Sequence, residues 1–303
     1  MRGPAVNLVS VSVTTDGPVQ SPLVSGSTVA LANTRIDLLF DRYLDPRSVL
    51  RQSVCLRSDS VIPTAAEECT GGVFLNPVYN PASRTVSYFI DPGNASPILP
   101  AAVHYLTVYR GTGDELGFRA FDGAPLAQAQ AFFFDVTDPG GLQPQVPVVD
   151  PTDCLLELGT SCGNCHAAQT PLGEAITPAM GLELNPTDRF LATSLRPAHG
   201  MSIGSTGNDP LARRPDRFGA GMPVIAPGDP GNSYLLYKML AREDPAPATL
   251  APGETDRLRA FITGAPMPPS NQLPDTRPRD EGGNPIDLQL YDNINKFIRC
   301  IGQ

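Results

Sequence analysis

The segment with the clearest chemical capacity is Cys-Gly-Asn-Cys-His at positions 162–166. The thiols of Cys162 and Cys165 stand three positions apart, so they can add to the two vinyl groups of one haem. The imidazole of His166 then falls under the iron as its proximal ligand, and this is the signature of c-type haem attachment. The sequence therefore predicts one covalently bound haem c, held by Cys162, Cys165 and His166.

Three other interpretations of the C-x-x-C pair are open. A thioredoxin-like redox pair would need a βαβ setting, and no strand and helix alternate in that way. Half of a zinc site would need a second C-x-x-C or a pair of histidines at ligand spacing, and neither follows. The third interpretation is a plain disulfide. We favour the haem.

The second axial ligand of such a haem must come from methionine or histidine. Met267 lies in Ala-Pro-Met-Pro-Pro, where the flanking prolines stiffen the loop and hold the thioether in one place. His199 would give bis-histidine ligation, although a loop imidazole bonded to backbone is its simpler interpretation. Met239 falls inside a predicted helix and is expected to pack in the core. The remaining methionine alternatives are Met180, Met201 and Met222. His104 falls in a predicted strand and is expected to be structural.

Ligation by one histidine and one methionine fills both axial positions of the iron and raises its reduction potential relative to bis-histidine ligation. Oxygen or peroxide then has no coordination site. Such a haem suits the transfer of single electrons, so we expect an electron carrier rather than an enzyme. Two alternatives stay open: a haem peroxidase or small-ligand sensor with an open distal site, and a structural accessory subunit of a membrane or extracellular complex.

Composition limits the partners and the location. The 303 residues suggest two domains, and the net charge of −9 argues against a nucleic-acid partner. No apolar run approaches the length of a membrane span. Haem is attached covalently outside the cytoplasm, so we expect a signal segment to have been removed from this sequence or to be missing from it. A lipid anchor stays open. We expect a periplasmic location or one on the extracellular face of a bacterial envelope, with redox proteins or a membrane redox complex as partners.

Four cysteines remain once the haem has taken two. An even remainder in an exported protein predicts two disulfides. Cys55 and Cys69 would close a short loop, and a loop of about 15 residues would stabilise the fold by about 3 kcal/mol. Cys154 and Cys300 would clamp the first and last helices of the second half. Four free buried thiols are the alternative.

Residues 1–138 alternate apolar and polar side chains in short runs separated by Pro, Gly, Asn and Asp clusters, which predicts a β-sandwich. One predicted face consists of Ile36, Leu38 and Phe40. The other two predicted faces consist of Val86, Tyr88 and Ile90, and of Val103, Tyr105, Thr107 and Tyr109. Residues 139–151 form a Pro-rich connector.

Residues 152–303 predict short helices within long loops. A helix would run from Thr152 or Asp153 to the haem cysteines. Another would open at Asp229-Pro230, and a third would carry Leu258, Phe261 and Ile262 on one face. The last would present an apolar stripe of Tyr291, Ile294, Phe297, Ile298 and Ile301.

Two resemblances agree with this division. Residues 1–138 resemble bacterial Ig-like domains in the phrases IDLLFDRYLDPRSV, VYNPASRTVSYFI, LPAAVHYLTVYRG and DGAPLAQAQAFFFDV. That resemblance implies a β-sandwich without a catalytic site, which would dock the haem domain to a larger redox assembly or to an envelope surface.

Residues 152–303 resemble the monohaem cytochrome c domain of secreted bacterial proteins in TSCGNCHA, GLEL, VIAPGDPGNSYLLYKML and GAPMPP. This implies a mainly α-helical domain with Met267 as the distal ligand and a wall helix that follows P-G-D-P. The chain departs from that family in the lengthened segment between M-P-P and the last helix.

Overall fold

The structure is a computed structural model of the chain. It describes residues 2–14, 20–22, 24–30, 35–58, 69–90, 101–111, 116–138, 218, 222–242, 247–262 and 287–300. The chain divides into two compact units. Unit 1 comprises Met1–Val148 together with Ala248–Pro252, and unit 2 comprises Val149–Pro247 together with Gly253–Gln303.

Unit 1 is built from two β-sheets. The first sheet has the strand order β2-β1-β4-β7-β6, and the second has the order β3-β9-β8-β5. Neighbouring strands run antiparallel except for β3, which pairs with β9 in parallel. The strands are β1 (Leu8–Thr14), β2 (Gln20–Pro22), β3 (Ser27–Ala30), β4 (Arg35–Phe40), β5 (Val54–Arg57), β6 (Leu75–Asn80), β7 (Thr85–Ile90), β8 (Val103–Val108) and β9 (Gln130–Asp138).

Side-chain alternation along these strands builds the core of unit 1. Ile36, Leu38 and Phe40 of β4 are buried, as their period of two predicts. Val86 and Tyr88 of β7 are buried in the same sheet, because Val86 lies opposite Leu38 and Tyr88 opposite Ile36 in the ladder.

The face predicted for β8 and the residue after it, Val103, Tyr105, Thr107 and Tyr109, is buried only in part, at Thr107 and Tyr109. The strand buries His104, Leu106 and Val108, whereas Val103 is 40% exposed. Both faces of this strand carry apolar or aromatic residues, so alternation alone does not identify the inner one. His104 is fully buried and its ring lies 5.8 Å from that of Phe134, which agrees with a structural role.

The predicted fold class, which included a mainly α-helical second half, is wrong for the described residues. The part of the chain that the structure describes is mostly β-sheet and has three short α-helices. They are α1 (Tyr234–Leu240), α2 (Glu254–Phe261) and α3 (Asp287–Cys300). None of these helices is long and apolar enough to cross a membrane.

Residues Pro230–Asn232 and Ser233 shorten α1 at its start. The segment predicted as one helix from Pro230 begins as a 3₁₀ turn, Pro230–Asn232. Ser233 then has φ −97° and ψ 106°, which is extended backbone, so the α-helix starts only at Tyr234. This half therefore places turns where the sequence predicted a continuous helix.

Candidate haem site

The residues predicted to hold the haem lie outside the described residues. This applies to Cys162, Cys165, His166 and Met267, and also to Cys154, His199, Met180 and Met201. Their attachment and ligand roles stay predictions. The structure does describe the phrase that resembles the wall of a cytochrome haem pocket, together with the last helix.

The P-G-D-P-G-N-S phrase, residues 227–233, is a hydrogen-bonded turn. The Asp229 carboxylate accepts hydrogen bonds from the backbone N–H and the side-chain amide of Asn232. The Ser233 hydroxyl is buried, donates to the Asp229 carbonyl at 2.9 Å and accepts from the Ala226 N–H at 2.9 Å. Aspartate and serine thus satisfy the backbone groups that precede α1. The phrase has a structural explanation within this chain, and that explanation needs no ligand.

The same turn is joined to the C-terminal part of α3. Gly228 has φ +76°, a backbone conformation that glycine adopts without a Cβ penalty. Its N–H donates to the carbonyl of Ile298 at 2.6 Å. One unpaired carbonyl of the last helical turns is thereby satisfied. The sequence did not predict this contact, although a glycine before Asp-Pro indicates a backbone conformation with positive φ.

Helices α1 and α3 supply apolar side chains to the core of unit 2. The Tyr237 ring packs edge-on against Phe218 with centroids 4.7 Å apart, and its hydroxyl donates to the Gly231 carbonyl at 2.8 Å. Met239 is buried in α1, which agrees with its predicted core role, and Met222 is only partly buried. The other buried apolar residues of the two helices are Tyr234, Leu236, Leu240, Ile294, Phe297 and Ile298.

Burial perturbs the titration of Lys238 in α1. It lies in the last turn of the helix and is partly buried. Burial penalises the ammonium form and lowers the pKa of Lys238 from 10.5 to about 8. Its charge therefore titrates closer to neutral pH than that of an exposed lysine.

Helix α2 is tied back to the end of α1 by Arg259. Its guanidinium donates to the carbonyls of Ala241 at 3.0 Å and Arg242 at 3.4 Å. Glu254 at the first position of α2 is buried and accepts from Arg257 at 2.8 Å. Together with the Gly228–Ile298 bond, these contacts fix the described elements of unit 2 by side-chain and backbone hydrogen bonds as well as by apolar packing.

The cysteines of the described residues are oxidised. Cys55 and Cys69 form the predicted disulfide, with a Cα–Cα distance of 5.8 Å that is typical of such bonds. Cys300 at the end of α3 is also disulfide-bonded. Disulfides persist in oxidising compartments, so the chain is located outside the cytoplasm.

These disulfides test whether the chain has the donors for a covalent haem. The chain has six cysteines, and Cys55 with Cys69 accounts for two. If Cys300 pairs with Cys154, as the sequence predicts, Cys162 and Cys165 keep the two thiols that a c-type haem requires. The donor set fits a haem if Cys154 is the partner. No group of three or more histidine, cysteine or acidic side chains suited to a metal ion occurs elsewhere in the described ranges.

Comparison with known proteins gives distant structural neighbours only. No family model and no curated protein matches the chain. One neighbour is the crystal structure of the S-layer protein rSbsC(31-844), at 9% identity and a TM-score of 0.27, covering 45% of this chain and 14% of that one. Another is the N-terminal part of the bacterial S-layer protein SbsC, at 7% identity and a TM-score of 0.27, covering 44% of this chain and 24% of that one. Similarity at this level supports no conclusion about function.

Proposed function

We propose that this protein carries single electrons outside the cytoplasm by means of one covalently bound haem c. The observation that carries the proposal is the Cys162-Gly-Asn-Cys165-His166 motif, in a chain whose described cysteines are all disulfide-bonded. Export into an oxidising compartment is the condition under which such a motif receives its haem. The disulfides support that condition independently of the motif.

The residues of the chain have separate tasks in this proposal. Cys162 and Cys165 would hold the haem through thioether bonds, and His166 and Met267 would be its iron ligands. A bound haem supplies one reversible electron-carrying centre. The prolines around Met267 would restrict the position of its thioether, and the apolar side chains of α1 and α3 contribute a water-excluding interior to unit 2.

The proposal also assigns a role to the β-sheet unit and a class of partner. Unit 1 would dock the haem-bearing half to a larger redox assembly or to a bacterial envelope surface. The partners would be redox proteins or a membrane redox complex in the periplasm or on the extracellular face. A net charge of −9 favours partners with a basic face.

The decisive experiment is a pyridine haemochrome spectrum with an intact mass, measured on the chain expressed with working cytochrome-maturation machinery. We expect a thioether-linked spectrum and a mass increase of one haem that survives denaturation. The matched control is the double variant Cys162→Ala with Cys165→Ala, which should lose the haem under denaturing conditions. A colourless protein with the mass of the bare chain would refute the proposal.

Disulfide mapping by peptide mass spectrometry provides an independent check. We expect Cys300 to be linked to Cys154, because both haem-attaching thiols must stay available. A link from Cys300 to Cys162 or Cys165 would exclude haem attachment through both thiols of the motif.

Replacement of the distal ligand separates electron transfer from open-site chemistry. Met267→Ala should convert the ferric spectrum from low-spin to high-spin and leave covalent attachment intact. Met222→Ala and His199→Ala are the matched controls and should leave the spectrum unchanged. A high-spin spectrum in the unmodified protein would instead support the peroxidase or sensor alternative.

A further inference from the structure

Five residues from the second half of the chain form part of unit 1. Ala248–Pro252 belongs to that unit, although the chain on either side of it belongs to unit 2. We call this segment, Ala-Thr-Leu-Ala-Pro, the strap. Its residues are a hundred or more positions from the end of the first stretch of unit 1 at Val148.

The first attachment of the strap is a hydrogen bond to a buried arginine. Arg84 ends the turn between β6 and β7 and is fully buried, with φ +55°. Its Nη2 donates to the Thr249 hydroxyl at 2.6 Å, and its Nε donates to the Phe40 carbonyl at 3.2 Å. The Arg84 carbonyl in turn accepts from the Phe40 N–H at 3.1 Å. One arginine therefore connects the strap to the end of β4.

The second attachment is a backbone hydrogen bond to Asp41, the residue that follows β4. The N–H of Ala251, which is buried, donates to the Asp41 carbonyl at 2.8 Å. Asp41 is itself fixed, because its carboxylate accepts from the N–H and side-chain amide of Asn7, each at 2.7 Å. Thus Phe40, the last residue of β4, contacts Arg84, and the next residue, Asp41, contacts the strap directly.

The turn beneath Thr249 differs from an ordinary hairpin tip. Hairpin tips usually lie on the surface, yet Pro81, Ala82 and Arg84 are all buried. Burying a guanidinium is costly unless its donors have acceptors, and removing one acceptor leaves part of that cost uncompensated. Thr249 supplies such an acceptor from a point in the sequence 165 residues away.

We propose that the strap is an obligatory part of unit 1, which closes the end of the unit formed by the β6–β7 turn and the last residue of β4. Without the strap, the Pro81–Arg84 turn opens and the Phe40 N–H loses its protection. Unit 1 is then not a module that the first 138 residues specify alone. A chain cut at residue 138 lacks a segment that this end of the unit requires.

Hydrogen exchange measured by mass spectrometry on the full chain tests this proposal. Thr249→Val keeps the shape of the side chain and removes the acceptor for Arg84. We expect amides of Phe40 and the Pro81–Arg84 turn to exchange about tenfold faster in this variant. Thr249→Ser keeps the hydroxyl and should match the unmodified chain. Amides of α1 in unit 2 should exchange at the same rate in all three proteins.

Replacement of all five strap residues by Gly-Ser-Gly-Ser-Gly in the full chain is the stronger variant. We expect the whole of β6 and β7 to exchange faster, or unit 1 to unfold, and either result supports the proposal. Exchange at the turn within twofold of the unmodified chain in both the replacement and Thr249→Val would overturn it. Equal acceleration by Thr249→Val and Thr249→Ser would also overturn it, because the hydroxyl would then not be the attachment.

Discussion

The ion pair between Arg42 and Asp122 allows the sharpest prediction about stability. The Arg42 Nη2 lies 2.7 Å from Asp122 Oδ2, and neither side chain is exposed to solvent. The guanidinium also donates to the Pro4 carbonyl and lies 5.7 Å from the centroid of the Phe121 ring. The carboxylate further accepts from the Gly3 N–H at 2.7 Å. The pair therefore joins residues 3 and 4 to the rest of unit 1.

Removing the carboxylate takes away the acidic group that lies 2.7 Å from a buried guanidinium. Breaking a buried pair in this way costs about 3–5 kcal/mol. Since a domain is stable by only about 5–15 kcal/mol, Asp122→Ala should remove a large share of the stability of unit 1. The matched control is Asp256→Ala, because the Arg259–Asp256 pair at 2.6 Å has side chains that are 45% and 79% exposed. An exposed pair contributes about 1 kcal/mol or less.

The same pair predicts how stability depends on pH. Burial alone would raise the pKa of Asp122, but hydrogen bonds from Arg42 and from the N–H groups of Ala124 and Gly3 outweigh it and leave the pKa below 3.8. A carboxyl whose pKa is lower in the folded state stabilises the fold above its unfolded pKa. That contribution is lost as pH falls through the folded value. The unmodified chain should therefore lose this stabilisation below about pH 4, and Asp122→Asn should not show that loss.

The assay must follow each unit separately, because a chain with two units need not unfold in one step. Hydrogen exchange at increasing urea gives the free energy of opening for unit 1, which contains Asp122, and for unit 2, which contains the control residue Asp256. A double-mutant cycle with Arg42→Met and Asp122→Leu isolates the pair from the other contacts of each residue. The reasoning is refuted if Asp122→Ala costs no more than Asp256→Ala, or if the cycle gives no coupling.

Three further predictions concern single residues. Ser233→Ala should destabilise unit 2 by about 1–3 kcal/mol, because the Ala226 N–H loses its acceptor in a buried turn. Ser233→Thr, which keeps a hydroxyl, is the control. If thermal unfolding shows no loss of stability in Ser233→Ala, the assigned hydrogen bonds are contradicted. Between pH 8 and 10.5 the folded chain binds fewer protons at Lys238 than the unfolded chain, so the free energy of unfolding should rise across that window. Lys238→Met should abolish this rise and increase the Tm at pH 7, whereas an unchanged pH profile would show that the ammonium is not buried as described. A Cβ at residue 72 would lie 2.9 Å from the Cys69 sulfur and 3.2 Å from the Leu56 carbonyl oxygen, so Gly72→Ala should lower the yield of the Cys55–Cys69 disulfide in a thiol-labelling assay. The control for loss of a glycine is Gly71→Ala, whose Cβ meets no atom within 4 Å although residue 71 has φ +72°. Equal yields in the unmodified chain and Gly72→Ala would contradict the close approach.

Local patterns in the sequence predicted the strands better than the helices. In β4 the apolar residues Ile36, Leu38 and Phe40 alternate with Asp37, so the inner face is evident from the period. In β8 Tyr105 and Leu106 compete for the core, and the cross-strand partners decide between them. Leu106 lies opposite Phe132 and Tyr105 opposite Phe133. That choice depends on register, which the strand itself does not encode.

The contacts that the sequence did not predict are specific hydrogen bonds of side chains. Asp229-Pro230 correctly marked a start signal, but the Ser233 hydroxyl satisfies the backbone groups of residues 226 and 229 and thereby delays the helix. The bond from Arg84 to Thr249 joins two residues that carry no motif and are 165 positions apart. The Cys55–Cys69 disulfide was predictable because its separation of 14 residues makes a short loop.

The position of the strap in the sequence determines how long after the rest of unit 1 it is synthesised. A ribosome adds about 5–20 residues per second, so residue 248 follows residue 148 by about 5–20 s. During that interval the nascent chain contains the nine described strands of unit 1 but lacks the strap that contacts Arg84. A chaperone or export factor that delays folding of this chain would act in this interval, before residue 248 is synthesised.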